Sequence, residues 1–281
     1  MNKIKSFLNS AGKEFIYGGH LTALGASSIA FTSALLLDIP ITWDFLLIVY
    51  LITYTVYLYN RFKEFDEDFL TNPDRTQHIG GYIKYTPLIV FCSTLVIIWL
   101  LLCFGNSLSL AFGLSLLLSG FFYSLFFKKV TRKIVGFKNF YVSFIWAFLI
   151  ILMGTYYDMS LNLALILLFL FVFLRILVNN IFFDIKDIGL DKKRRLKTFP
   201  VVLGKDKALN YLQVLNFVSF IPLVSGIWSD LFPFFALWLI FFYFYSLYYL
   251  KKVKKKKSNA YFLFTLADGE YLLWATIIIF Y

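Results

Sequence analysis

Nine apolar stretches, at residues 15–37, 42–61, 85–104, 107–127, 139–158, 160–183, 208–229, 231–250 and 259–281, are each long enough to cross a ~30 Å hydrocarbon layer as a helix. The segments that join them alternate in charge. Residues 38–44, 105–107, 158–162 and 229–233 carry no Lys or Arg, whereas the intervening connections and the N-terminal segment, counting Arg61 at the last position of the second stretch, hold 26 of the 27 basic residues; only Arg175 lies in the interior of a stretch. Removing or adding one helix would scramble this alternation, so the pattern itself supports the count. The positive-inside rule then predicts a cytoplasmic N-terminus and cytoplasmic basic connections, with the C-terminus outside.

Composition agrees with lipid as the solvent. The 281 residues are 60% hydrophobic and 15% charged, with mean hydropathy +0.76, against roughly 45–50% and 25% for soluble domains. The net charge of +11 follows the connections, which assigns it to topology and anionic lipid headgroups and excludes a nucleic-acid footprint. The run 251–256 reads as a cytoplasmic anchor. The first apolar stretch has no small-residue cleavage site and is followed by further spans, so no cleavable signal peptide is expected. Cys92 and Cys103 are too far apart on one helix (~16 Å) for a disulfide and are expected to be buried structural residues. A single membrane domain is expected over 1–281.

Chemistry concentrates at two basic-side helix ends. After the second stretch, Asn60, Glu64 and Asp68 fall at i, i+4 and i+8; after the sixth, Asn180, Asp184, Asp187 and Asp191 fall at i, i+4, i+7 and i+11. On continuing helices each set forms one stripe of oxygen ligands. Carboxylates alone would repel a diphosphate. Magnesium removes the conflict, because it takes one or two carboxylates and completes its octahedron with phosphate oxygens and water, then acts as a Lewis acid on the leaving group. Arg75 and the basic residues of 192–197 are positioned to meet the remaining oxygens. Asp66 lies on the opposite helical side and is left out of the ligand set.

With these residues the chain resembles the UbiA-type intramembrane prenyltransferases. The second segment matches the family's D-x-x-D-x-x-x-D and T-L-P-V-x-L-G pattern through Asp184, Asp187 and Asp191, then Thr198, Phe199, Pro200, Val201, Val202, Leu203 and Gly204. The first matches N-D-x-x-D-x-x-x-D and N-R-P-x-R-P through Asn60, Glu64 and Asp68, then Asn72, Pro73, Asp74 and Arg75. Arg61 and Glu64 stand where the family pattern has Asp. A third element, Tyr123 and Ser124 followed by Lys128, Lys129, Lys138 and Asn139, resembles the family's Tyr/Lys connection.

The resemblance implies an all-α membrane protein, nine helices bundled around a central cavity. It also implies transfer of a prenyl group from an isoprenyl diphosphate to a lipophilic, aromatic acceptor. Carried over, Glu64, Asp68, Asp184, Asp187 and Asp191 would organise Mg²⁺, with Asn60 beside them. Arg75, Lys128 or Lys129, Tyr123 and Asn180 would bind diphosphate. Arg61 is about 100° around the helix from Asn60 and is expected to pair with a neighbouring acid. A membrane terpene cyclase and a non-catalytic prenyl-diphosphate-binding homologue are the alternatives. A transporter is disfavoured, because the acidic rows lie at a membrane face rather than at mid-depth.

Three further residues, Arg175, His20 and His78, are singled out. Arg175 is either an acceptor-pocket or helix-pairing residue or half of a structural ion pair, with Asp268 and Glu270 as candidate partners. His20 is expected to pack between helices, and His78 to lie in a loop. The 35 Phe and 19 Tyr suit a cavity that receives an allylic cation, but equally suit lipid-facing packing.

Overall fold

A computed structural model describes residues 2–69, 72–254 and 260–279, with side chains described from residue 10 except at 128–129 and 260–264. The described residues form α1 (Asn2–Tyr17), α2 (His20–Leu36), α3 (Trp43–Lys63), α4 (Phe65–Asp68), α5 (Pro73–Gly80), α6 (Thr86–Phe104), α7 (Ser107–Leu125) and α8 (Phe137–Tyr156). They continue with α9 (Leu163–Lys193), α10 (Phe199–Leu203), α11 (Lys205–Val218), α12 (Ile221–Trp228), α13 (Phe241–Lys254) and α14 (Ala260–Ile279). Short 3₁₀ segments at Ile83–Tyr85, Phe127–Arg132 and Phe234–Ile240 complete the helical elements of the described residues.

Among the described residues seven spans, α3, α6, α7, α8, α9, α11 with α12, and the 3₁₀ turn with α13, are long and apolar enough to cross a membrane. Ser10–Tyr17 and α2 form an eighth only as a pair bent by 59°. The ninth expected stretch, 259–281, runs beyond the described residues at both ends; its described part is α14.

Three boundaries differ from expectation for local reasons. The first stretch does not begin at residue 15. Gly19 adopts φ 92°, and a Cβ there would lie 2.3 Å from the Tyr57 ring, so the chain turns between α1 and α2. The seventh stretch breaks at 219–220, just ahead of Pro222 in the first turn of α12. The sixth continues as α9 to Lys193, ten residues past its expected end.

α2 packs on α14 and α3, α3 on α6 and α7, α7 on α8, and α8 on α9; α9 meets α11 and α12, α11 meets α13, and α13 meets α14. The helices therefore close into a ring. Its outer face is apolar, as lipid requires: Leu88, Trp99 and Phe217 are all exposed. Cys92 and Cys103 lie there too, free and exposed on α6, contrary to the burial expected of them. α6 turns Ser93, Ile97, Leu100 and Leu101 inward, leaving the cysteines on the outer side, where a thiol is compatible with hydrocarbon.

Three of the four turns on the non-basic side share one device. α2, α8 and α12 end at an aspartate in the left-handed region, with Asp38 at φ 53°, Asp158 at 51° and Asp230 at 55°. The next residue donates back to a carbonyl five positions earlier, Ile39 to Ala34 (2.9 Å), Met159 to Gly154 (2.8 Å) and Leu231 to Gly226 (2.9 Å). This is a Schellman cap with Asp in place of Gly; the Asp tolerates left-handed geometry, and the following apolar residue folds back onto the helix. α9 ends the same way on the basic side, with Arg195 at φ 58° and Leu196 donating to Asp191 O at 2.9 Å.

Candidate active site

The ring encloses a cavity of about 610 Å³. Its lower wall is apolar, with Ile52 and Val56 from α3, Leu116 from α7, Val142, Trp146 and Leu149 from α8 and Ile176 from α9. Its mouth is built from helix ends. α3 and α9 point their C-termini at it, ends whose dipoles favour cations, whereas α8 begins there. Asn60, Glu64, Asp68, Arg75, Tyr123, Asn180, Asp184, Asp187 and Asp191 all line this one cavity. The side chains of Lys128 and Lys129 lie outside the described residues.

The α9 row has the geometry its spacing predicts, because the helix runs unbroken through all four positions. Asp184 is 1% exposed; Lys138 Nζ donates to its Oδ1 at 2.6 Å and Asn139 Nδ2 to its Oδ2 at 2.8 Å. Asp191 accepts from Thr198 Oγ1 at 3.2 Å. Asp187 has no hydrogen-bond partner among the described residues. Asn180 donates to Ser143 Oγ at 3.0 Å.

The first row is not one continuous helix. α3 stops at Lys63, Glu64 takes φ −106° and ψ 13°, and α4 supplies Asp68. Arg61 lines the same cavity as Asn60 despite their angular separation, since the mouth is wider than one helical stripe. Its Nη1 donates to Asp68 Oδ2 at 2.7 Å, and its guanidinium lies 4.7 Å from the centroid of the Tyr57 ring. Arg75 Nη2 donates to the same Asp68 oxygen at 3.1 Å. Asn60 Oδ1 accepts from Ser124 Oγ. Two links tie α9 to the facing segment: Lys186 Nζ to Asn72 Oδ1 at 3.1 Å and Arg194 Nη1 to Glu67 Oε2 at 2.9 Å.

Three donors in this wall are buried without a partner among the described residues: Arg61 Nε, Arg75 Nε and Tyr123 Oη. Leaving a buried donor unsatisfied is costly, and three in one cavity mark a place for an acceptor-rich ligand. Among the described residues no three His, Cys, Asp or Glu side chains form a closed metal cage. The donor set therefore fits a hydrated magnesium that shares its ligands with phosphate, rather than a dedicated all-protein site.

Lys138, Arg61, Lys186 and Asp268 are cavity residues that sequence reasoning did not assign to the site. For Lys138 the signal existed in the Lys-Asn pair that opens α8. Asp268 faces the cavity, so it is Glu270 that meets Arg175.

Arg175 is fully buried and is half of a structural ion pair. It donates to Glu270 and Asn216, to Ser246 Oγ at 2.6 Å and to Ser219 Oγ at 3.2 Å. One side chain thereby joins α9, α11, α13 and α14. Near the mouth, Glu14 of α1 receives His78 Nε2 at 2.7 Å and Tyr82 Oη at 3.2 Å. Burial, reinforced by the Glu14 carboxylate, raises the Tyr82 phenol well above its usual range. His78 is thus on α5 and not in a loop, because Pro73 at its first turn starts a helix there. His20 hydrogen-bonds Tyr50 and stacks on Tyr54 at 4.9 Å, as a packing histidine.

The model of the UbiA prenyltransferase family matches residues 21–267. The chain belongs to this family. Family membership and the apolar spans together make it an integral membrane protein.

Among solved structures, the apo form of a UbiA homologue from Aeropyrum pernix K1 superimposes with a TM-score of 0.74 at 15% identity, over 92% of this chain and 97% of that one. A UbiA homologue from Archaeoglobus fulgidus bound to GPP and Mg²⁺ gives 0.67 at 14% identity, over 96% and 100%. A structure of digeranylgeranylglyceryl phosphate synthase gives 0.59 at 16%, over 99% and 95%. At these identities the likeness establishes a shared fold. No curated protein matches the chain in sequence.

Proposed function

We propose that this UbiA-family protein is a magnesium-dependent intramembrane prenyltransferase, which moves a prenyl group from an isoprenyl diphosphate to a lipophilic, aromatic acceptor. The observation that carries the reading is the pairing, in one cavity mouth, of the α9 carboxylates with the buried unsatisfied donors of Arg61, Arg75 and Tyr123. The similar Archaeoglobus fulgidus structure, which holds GPP and Mg²⁺, supports the same class of donor. The basic helix ends that carry the site would face the cytoplasm, with the N-terminus on that side.

Asp187 and Asp191 would hold the magnesium, with Asp184 behind them fixed by Lys138 and Asn139. The ion supplies Lewis-acid polarisation of the leaving diphosphate. Arg61, Arg75 and Tyr123 would donate to diphosphate oxygens, gaining strength as charge grows on them when the allylic C–O bond breaks. The electron pair leaves with the diphosphate. Trp146 and the apolar wall would seat the chain, exclude water and face the cation. The acceptor's electrons form the new carbon–carbon or carbon–oxygen bond, and its proton is lost.

The test incubates purified protein and Mg²⁺ with prenyl diphosphates, with and without a membrane lipid extract. Diphosphate release that requires the extract is expected. Release with a cyclised hydrocarbon and no acceptor would instead indicate a cyclase. No release by wild type, indistinguishable from Asp184→Ala, would overturn both and leave a binding protein.

A further inference from the structure

The two walls of the mouth are not equivalent. On α9, Asp187 has no hydrogen-bond partner among the described residues and Asp191 only a hydroxyl, so both remain available to an ion. On the other wall one oxygen of Asp68 and the side-chain oxygen of Asn60 are already engaged, while Glu64 lines the same cavity beside Arg61. Both guanidiniums meet at the same oxygen of Asp68, Arg61 at 2.7 Å and Arg75 at 3.1 Å, and Ser124 donates to Asn60 Oδ1. A divalent cation at Asp68 would sit against two fixed positive charges that cannot lose their protons. Arg61 is also held over the Tyr57 ring, so it does not readily swing aside.

We infer that this protein grips its prenyl diphosphate with a single magnesium ion, held by α9, and that Arg61 and Arg75, clamped together by Asp68, take the place of an ion on the facing wall. Asp68 is then a positioning residue for two guanidiniums and not a metal ligand. The geometry suits that role. Each guanidinium spends one Nη–H on Asp68 and keeps a buried Nε–H that has no partner among the described residues. The planar fork offers further donors beside it, in the arrangement that grips phosphate oxygens. Tyr123 Oη adds a neutral donor from α7. A cation made of protein needs no assembly step, so the anion would meet half of its counter-charge before magnesium arrives.

The inference rests on the diphosphate reading above, and its test separates the two. Full-length protein in nanodiscs is mixed with a non-hydrolysable prenyl thiolodiphosphate and Mn²⁺. Bound Mn²⁺ is counted by electron paramagnetic resonance, and analogue affinity is measured by titration. One Mn²⁺ per bound analogue is expected, without the spin–spin broadening of a close ion pair. Arg61→Met should weaken analogue binding at least tenfold while the ion count stays at one. Two coupled ions in the wild type, or unchanged affinity in Arg61→Met, would overturn the inference and leave the functional reading intact. Failure of the wild type to bind the analogue at all would sink the functional reading, and this inference with it.

Discussion

Lys138 Nζ lies 2.6 Å from Asp184 Oδ1, and the neighbouring Asn139 donates to the other carboxylate oxygen at 2.8 Å. The first turn of α8 thus holds the most buried carboxylate of α9 in one orientation. Lys138→Met removes the charged half of that grip. Single-turnover diphosphate release is expected to fall by about 100-fold, the scale seen when one preorganised charge-stabilising donor is lost. A variant that keeps wild-type release would show that Asp184 needs no such positioning.

This relationship marks where the sequence was legible and where it was not. The α9 row follows from spacing alone, because an uninterrupted helix turns 100° per residue and nothing between Asn180 and Asp191 breaks it. The α3 row does not, since the helix ends at Lys63 and Asp68 arrives on a separate turn. Its partners, Arg61 and Arg75, lie seven residues to either side of Asp68, and no periodicity predicts that both meet one oxygen. The choice of Lys138 likewise depends on the packing of α8 against α9. Charge alternation revealed the spans, but not the breaks at Gly19 and near Pro222, which answer to tertiary contacts.

Arg175 and Glu270 form a second buried pair, far from the mouth in role though near in chain. Removing one partner of a buried pair typically costs about 3–5 kcal/mol, because the other charge is left unpaired, while replacing both with apolar residues is far milder. Arg175→Met and Glu270→Gln are each expected to lower the thermal unfolding temperature in detergent sharply. The double variant Arg175→Met/Glu270→Leu should recover most of the loss. Additive losses would contradict the pairing.

Gly136 has φ 68°, and a Cβ there would lie 2.3 Å from the Phe199 ring. Its N–H donates to Lys197 O at 2.8 Å, and Lys197 N donates to Thr131 O at 2.9 Å. These bonds set the backbone beside Thr198, which holds Asp191. Gly136→Ala should cost about 1–3 kcal/mol in left-handed strain, with more from displacing the ring. Thermal unfolding should report the loss, and donor Kd should rise with it.

On the proposed function, the depth of the apolar cavity would set which donor is accepted. From Lys138, the cavity residues Val142, Ile145, Trp146 and Leu149 descend α8, and eleven residues of helix span about 16 Å. Leu149→Ala should deepen the floor and shift preference toward longer donors. Mass spectrometry of products from an equimolar mixture of prenyl diphosphates reads this directly; an unchanged product ratio would place the floor elsewhere.

On the proposed function, the α9 carboxylates and magnesium together hold a prenyl diphosphate at the cavity mouth. Retention of a radiolabelled prenyl diphosphate by purified wild type and Asp187→Asn, each with Mg²⁺ and with EDTA, tests it most directly. The wild type is expected to retain label only with Mg²⁺, and Asp187→Asn to bind at least tenfold more weakly. Equal retention by both proteins, or by wild type regardless of Mg²⁺, would contradict the claim.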